Sequence, residues 1–176
     1  MQASLSAAIS LAGVLVLAGC SDGGQAASPA TPLAEIDACA LLTAEEIEAA
    51  TGIAPAPPEQ DGPKSAVPMC NWPAAVQGYP FALNLLIAPS DNYSSFDGAL
   101  AKWQESAESM EFPFDPNDYQ EVGEPGTVNA WMHEAGMLQA HRGNRMVQVY
   151  AQVTPDRDRL EASVALARHV LSRLDP

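Results

Sequence analysis

The side chains in this 176-residue chain that could do chemistry are three cysteines, three histidines and a short acidic run. His133-Glu134 opens like the H-E-x-x-H zinc helix, but Met137 stands where the second imidazole belongs. A two-residue turn at Ala135-Gly136 is expected to send His133 and His141 to opposite faces, so no zinc site is expected. Asp115, Asn117 and Asp118 resemble the start of a calcium loop. Tyr119 then falls where a third oxygen ligand is needed and Gln120 where the turn glycine is needed, which predicts a solvated acidic loop. The string from Gly19 to Gly23 matches G-x-S-x-G, yet it lacks the strand-turn-helix setting that exposes a nucleophile. No catalytic residue, metal or cofactor follows from these patterns.

Cys20 is a different case. Residues 5–19 are uncharged and mostly apolar, which is the length of a signal-peptide core and short of the roughly 20 residues that span a hydrocarbon layer. The run Leu17-Ala18-Gly19-Cys20 that closes it resembles the lipobox of bacterial lipoproteins. That resemblance implies a signal peptide over residues 1–19 and a diacylglyceryl thioether on Cys20, which becomes the new N-terminus. A thiolate is the side-chain nucleophile suited to such an alkylation. No Lys or Arg precedes the apolar core, where a signal peptide usually carries positive charge, and a secretory signal with an incidental cysteine is the alternative. Ser21, rather than Asp, follows the cysteine, and the resemblance to bacterial lipoproteins then implies delivery to an outer membrane, facing the periplasm, in a host that has one.

Charge narrows the partners. All 8 basic and 22 acidic residues follow Cys20, so the processed chain keeps a formal charge of −14 and should repel nucleic acid and anionic head groups. Residues 20–36 form the lipidated N-terminus and a small, polar, proline-containing stretch that reads as a flexible tether. Residues 37–176 suffice for a single domain. With Cys20 acylated outside the cytosol, Cys39 and Cys70 are left as an even pair and a disulfide is expected, with two buried thiols as the alternative.

The elements that must position these residues follow from periodicity. Thr43 and Glu46 form a capping box, Leu41, Leu42, Ile47 and Ala50 an apolar face, and Gly52 a stop, which predicts a helix over 43–51. A proline-rich loop over 54–68 leads to a short strand at Cys70. Residues 81–88 alternate, with Phe81, Leu83, Leu85 and Ile87 on one face. Ser94 or Ser95 caps a helix near 96–109 in which Phe96, Leu100 and Trp103 recur at helical spacing. Strands are predicted near 127–134, 137–142 and 145–153, then a helix over 156–174 with Leu160, Val164, Ala167, Leu171 and Leu174 in one stripe. The order α-β-β-α-β-β-β-α predicts an α+β fold with an antiparallel sheet of about five strands packed on helices. Trp72 and Trp131 are expected to be buried.

The turn Arg142-Gly143-Asn144-Arg145 sorts the last two strands. Leu138, Ala140, Val147, Val149 and Ala151 share the face that must meet the helices. Met137, Gln139, His141, Met146, Gln148 and Tyr150 share the other, which carries no formal charge and is the candidate recognition face, expected open to solvent.

The segment DACALLTAEEIEAATG at 37–52, with its Cys-x-Leu-Leu-Thr-x-x-Glu pattern, and MCNWP at 69–73, with Cys-x-Trp, are similar to small bacterial lipoproteins of uncharacterised function. Residues 123–153 resemble the later strands of those proteins. The resemblance implies the Cys39–Cys70 disulfide and says nothing of a reaction. Function is therefore expected to be that of a membrane-anchored envelope lipoprotein, a non-catalytic module that binds an envelope protein or a small apolar ligand. The alternative is an envelope hydrolase or transferase whose site is assembled only on folding.

Overall fold

Burial follows the helix and strand periods closely enough that the three helices and the longer strands β3, β6 and β7 each have one dry face. The computed structural model describes residues 32–60, 67–124 and 126–174. Helix α1 spans Ala44–Thr51, α2 Phe96–Ser109 and α3 Arg159–Leu174. The strands are β1 (Glu59–Gln60), β2 (Met69–Trp72), β3 (Leu83–Pro89), β4 (Tyr119–Glu121), β5 (Val128–Met132), β6 (Met137–Arg142) and β7 (Arg145–Ala151). The signal-peptide residues and Cys20 lie outside the described residues.

All seven strands form one antiparallel sheet in the order β1-β2-β3-β7-β6-β5-β4. The fold is thus α+β, with the order read from sequence plus two short strands that it missed, β1 and β4, at the two sheet edges. Neither is long enough to show a period of two. The chain leaves β3, crosses through α2 to the far edge, and returns by the β4–β7 meander to zip β7 onto β3.

Local signals act as expected at α1. Thr43 Oγ1 accepts from Glu46 N at 3.2 Å and Glu46 Oε2 from Thr43 N at 2.9 Å, a complete capping box. Gly52 closes the helix at φ 73°, and a Cβ there would also strike Thr154, so no other residue fits. Ser95 caps α2 through Gly98 N at 3.2 Å.

The core lies on one sheet face. Trp72, Leu83, Leu85, Ile87, Leu138, Ala140, Val147, Val149 and Ala151 are buried there with Trp131, against Ile47 of α1 and Leu166, Ala167, Val170, Leu171 and Leu174 of α3. The turn pairs Arg142 with Arg145 as predicted, and Arg145 is buried with its guanidinium donating to Leu174 O at 3.1 Å. That contact places a cation at the carbonyl end of α3, where the helix dipole favours it. Arg173 forks onto Glu46 at 2.6 and 2.8 Å, with His169 Nδ1 3.4 Å from the same carboxylate, and so clamps α3 to α1. The Arg173 hydrogen bonds, opposed by partial burial and helped by the Thr43 amide, hold the Glu46 carboxyl down at about 2.

Several boundaries move. β3 begins two residues late, so Phe81 leaves the core face, and its ring packs on Tyr150 with centroids 5.0 Å apart. β5 ends at Met132, and β7 ends at Ala151 rather than 153. The turn from β5 to β6 is the four residues 133–136, not two, because Met132 pairs with Met137 and Gly136 takes φ 61°. α3 begins at Arg159, after Asp158, whose Oδ1 accepts from Glu161 N at 2.9 Å. Leu160 and Val164 are only half-buried, because the stripe facing the sheet runs through Ala162, Leu166 and Val170. At the tether end, Leu33 and Ile36 already pack on the core, so the folded part begins before residue 37.

Cys39 and Cys70 form the expected disulfide, Cα atoms 5.2 Å apart, which ties the 3-10 turn at Ala38–Leu41 to β2 across a separation of 31 residues. Loop-closure entropy assigns such a link about 3 to 4 kcal/mol. Reduction should lower the thermal midpoint by about 10 °C, measured by calorimetry with and without reductant. An unchanged midpoint would show that the packing around Trp72 holds this region without the link.

Candidate binding groove on the second sheet face

The strand period that buries the aliphatic residues necessarily gathers the others on the opposite face. In register across β3, β7, β6 and β5 stand Ala88, Met146, His141 and Val128, then Leu86, Gln148, Gln139 and Ala130. Beside them run Asn71, Asn84 and Tyr150 across β2, β3 and β7. The six residues of the predicted recognition face are therefore brought together on one surface.

That surface is not uniformly open. Helix α2 lies over the β5 side, where Val128 and Ala130 are buried beneath it together with Ala99 and Ala107. His141 is 3% exposed, whereas Met137, Gln139, Met146, Gln148 and Tyr150 are half-buried. The expectation of a solvent-open face is thus corrected at His141. A helix of 14 residues with apolar Phe96, Leu100 and Trp103 needs a surface to cover, and only this side of the sheet remained.

His141 sits inside an aromatic cluster. Its ring centroid is 5.1 Å from that of Tyr93, edge-on, and 5.5 Å from that of Trp103, which also meets Tyr119 at 5.5 Å. Trp103 Nε1 donates to Tyr93 Oη at 3.1 Å, so the cluster is joined by hydrogen bonds as well as ring contacts. Burial raises the pKa of both tyrosines. Ser90 Oγ lies 2.8 Å from His141 Nδ1, the separation of a nucleophile and its base. No carboxylate orients the imidazole, since Nε2 is buried without a partner and Asp91 accepts from Tyr93. Burial, partly opposed by the Asp91 charge, pushes the His141 pKa down to about 4. A neutral imidazole of such low basicity is a poor general base at pH 7 and a good packing element. His133, by contrast, is exposed on its turn, where its backbone N–H donates to Asp118 O at 2.9 Å.

On the β2 side the face is not covered by α2, and it holds a partly open cavity of about 290 Å³. Met69, Asn71, Asn84, Leu86, Met137, Gln148 and Tyr150 line it with side chains, and Cys70 and Leu85, which point to the core, with backbone. None of these nine residues carries a formal charge. Gln148 Nε2 donates to Met137 Sδ, and Asn71 Oδ1 is buried without a partner. Of the predicted face, Met137, Gln148 and Tyr150 belong to this groove. Met69, Asn71 and Leu86 were missed. Alternation in 81–88 already placed Asn84 with the polar set, but no local signal tells that β3 pairs with β7, fifty-odd residues later, or that β2 adds a further wall.

The chain matches no family model, no curated protein and no solved structure. The class these observations define is an α+β protein with a seven-stranded antiparallel sheet, one face given to its core and the other shared between a helix and an uncharged groove.

Because His141 is held neutral in the fold and takes a proton near pH 6.5 once unfolded, the unfolded state binds more protons between about 6.5 and 4. Stability is therefore full above that window and falls as pH drops through it, by up to about 3 kcal/mol. Urea midpoints at pH 7.5 and 5 should differ in the wild type, and His141→Phe should flatten the difference. An equal slope in both proteins would place the titration elsewhere.

Proposed function

We propose that the protein is an envelope lipoprotein, akin to the small bacterial lipoproteins its cysteine motifs resemble, tethered to a membrane through acylated Cys20 and acting as a non-catalytic module that binds a small apolar ligand. The observation that carries the binding role is the uncharged cavity on the sheet face opposite the core, which has concavity, apolar lining and a few polar groups, the usual composition of a ligand site. An enzyme of the hydrolase or transferase type needs titratable groups converging on a pocket. Among the described residues the close nucleophile–base pair Ser90 and His141 joins a half-buried hydroxyl to a buried imidazole, and neither residue lines that cavity.

The anchor and tether support this reading. A diacyl thioether and a further acyl chain each add about 0.8 kcal/mol per buried methylene, enough for firm attachment. The polar residues after Cys20 leave room for the domain to stand off the membrane. Among the described residues no helix is long and apolar enough to cross a membrane.

Two experiments test the parts separately. Metabolic labelling with a fatty-acid analogue should mark the wild type and not Cys20→Ser, which should pass into the soluble fraction; an unlabelled wild type would exclude the anchor. The lipid-free protein should also raise the fluorescence of Nile red, a neutral apolar dye, and Gln148→Glu with Tyr150→Asp should abolish the rise; because Tyr150 packs on Phe81, a circular-dichroism spectrum of the double variant checks that it remains folded. A rise that persists in the double variant would remove the groove as the site.

A further inference from the structure

The groove is two-toned. Asn71, Asn84 and Tyr150 stand in one row across three strands, and Met69 and Leu86 stand in the adjacent row of the same face, paired directly with one another. Adjacent rows on one face are two residues apart along the strand, roughly 7 Å. Within the groove the Asn71–Asn84–Tyr150 row therefore lies beside the apolar Met69–Leu86 pair, which Gln148 continues on β7, at the distance between the head and the middle of a short-chain amphiphile.

Three observations restrict what fits. The volume of about 290 Å³ is at the bottom of the range for ligand cavities, so the occupant is small. None of the nine described lining residues is charged, so an ionic head desolvated among them would lack a counter-charge; Glu59, the cross-strand partner of Asn71, is an exposed carboxylate beyond the lining, and the formal charge of −14 repels anions before they arrive. Finally, Asn71 Oδ1 is buried with no donor, although such oxygens nearly always have a partner. Asn71 also lines the groove, so its side-chain amide borders the space a donor would enter. The thioethers of Met69 and Met137 adapt to chains of varied shape.

We propose that the groove selects small neutral amphiphiles that offer a hydroxyl or amide hydrogen-bond donor to Asn71 and lay a short apolar body over Met69 and Leu86. This rests on the groove being the ligand site. It adds head-group selectivity: a donor is required, and charge of either sign is rejected.

The test uses the lipid-free full chain carrying Cys20→Ser and four ligands of similar chain length: 1-octanol, heptyl methyl ether, octanoate and octylammonium. The alcohol and the ether have the same heavy-atom count and differ in the donor. Side-chain amide signals of Asn71, Asn84 and Gln148 in nitrogen-15 correlation spectra report binding at the groove. The alcohol should bind roughly tenfold more tightly than the ether, the worth of one hydrogen bond to a desolvated acceptor, with both ions weaker than the alcohol. Asn71→Leu should bring alcohol and ether to equal affinity while the ether still binds. Equal affinities of alcohol and ether in the wild-type groove would overturn the donor requirement and leave the apolar site standing. No shift with any of the four would overturn both. Tighter binding of octanoate or octylammonium than of the alcohol would overturn the neutrality. If Asn71→Leu disturbs the spectrum as a whole, the alcohol-to-ether ratio in the parent chain decides alone.

Discussion

Seven consecutive residues of β3 pair with seven of β7, from Leu83 with Ala151 to Pro89 with Arg145, and every face of the molecule depends on that register. Side chains alternate with a period of two, so a slip of one residue would send Leu85, Ile87, Val147 and Val149 outward and bring Asn84, Gln148 and Tyr150 into the core. The slip is opposed twice, once by the aliphatic residues that would lose burial and once by the polar ones that would lose water. The two-residue turn at Gly143-Asn144 then carries the same register into β6, and β2 copies it from β3 on the other side.

Once the faces are sorted, the helices have little choice. Helix α3, with α1 held to it by the Arg173–Glu46 fork, covers the aliphatic face at β6 and β7, and the 3-10 turns between Leu33 and Leu41 cover it at β2 and β3. Helix α2 carries fewer buried residues, Ala99 and Ala107 among them, and docks through aromatic contacts of Trp103 with His141 and Tyr119 instead of through an aliphatic stripe. It covers only part of its face. The groove at β2, β3, β7 and the start of β6 is the part it leaves, with Tyr150 and Met137 among its lining.

Electrostatics divide the molecule in the same way. The bulk of the 22 acidic residues stay in water, while the buried cation Arg145 is placed at the carbonyl end of a helix. His141 is the one buried imidazole, and its burial among the rings of Tyr93 and Trp103 favours the neutral form against the opposing charge of Asp91. Its role is to join α2 and the segment at Ser90 to the sheet. A charged group in the groove would have to be desolvated without compensation, which is why that lining is built from amides, thioethers and a phenol.

The amino-acid sequence by itself determined whatever depends on neighbours along the chain. The capping box at Thr43 and Glu46, the stop at Gly52, the limits of the 96–109 helix, the Arg142–Arg145 turn and the two-face sorting of 137–151 are all local, decided by short-range hydrogen bonds and by period. The pairing of Cys39 with Cys70 was also legible, because only two cysteines remained once Cys20 was set aside. Tertiary structure alone decided the rest. Strands β1 and β4 are too short to announce themselves and exist because a neighbouring edge offers unpaired backbone groups. His141 reads as surface by alternation and is buried because a distant helix lies on it. Asn71, Asn84 and Tyr150 come from three strands spread over some eighty residues, and they form one row only because non-local ladders set β2, β3 and β7 side by side, a relation that no local propensity encodes.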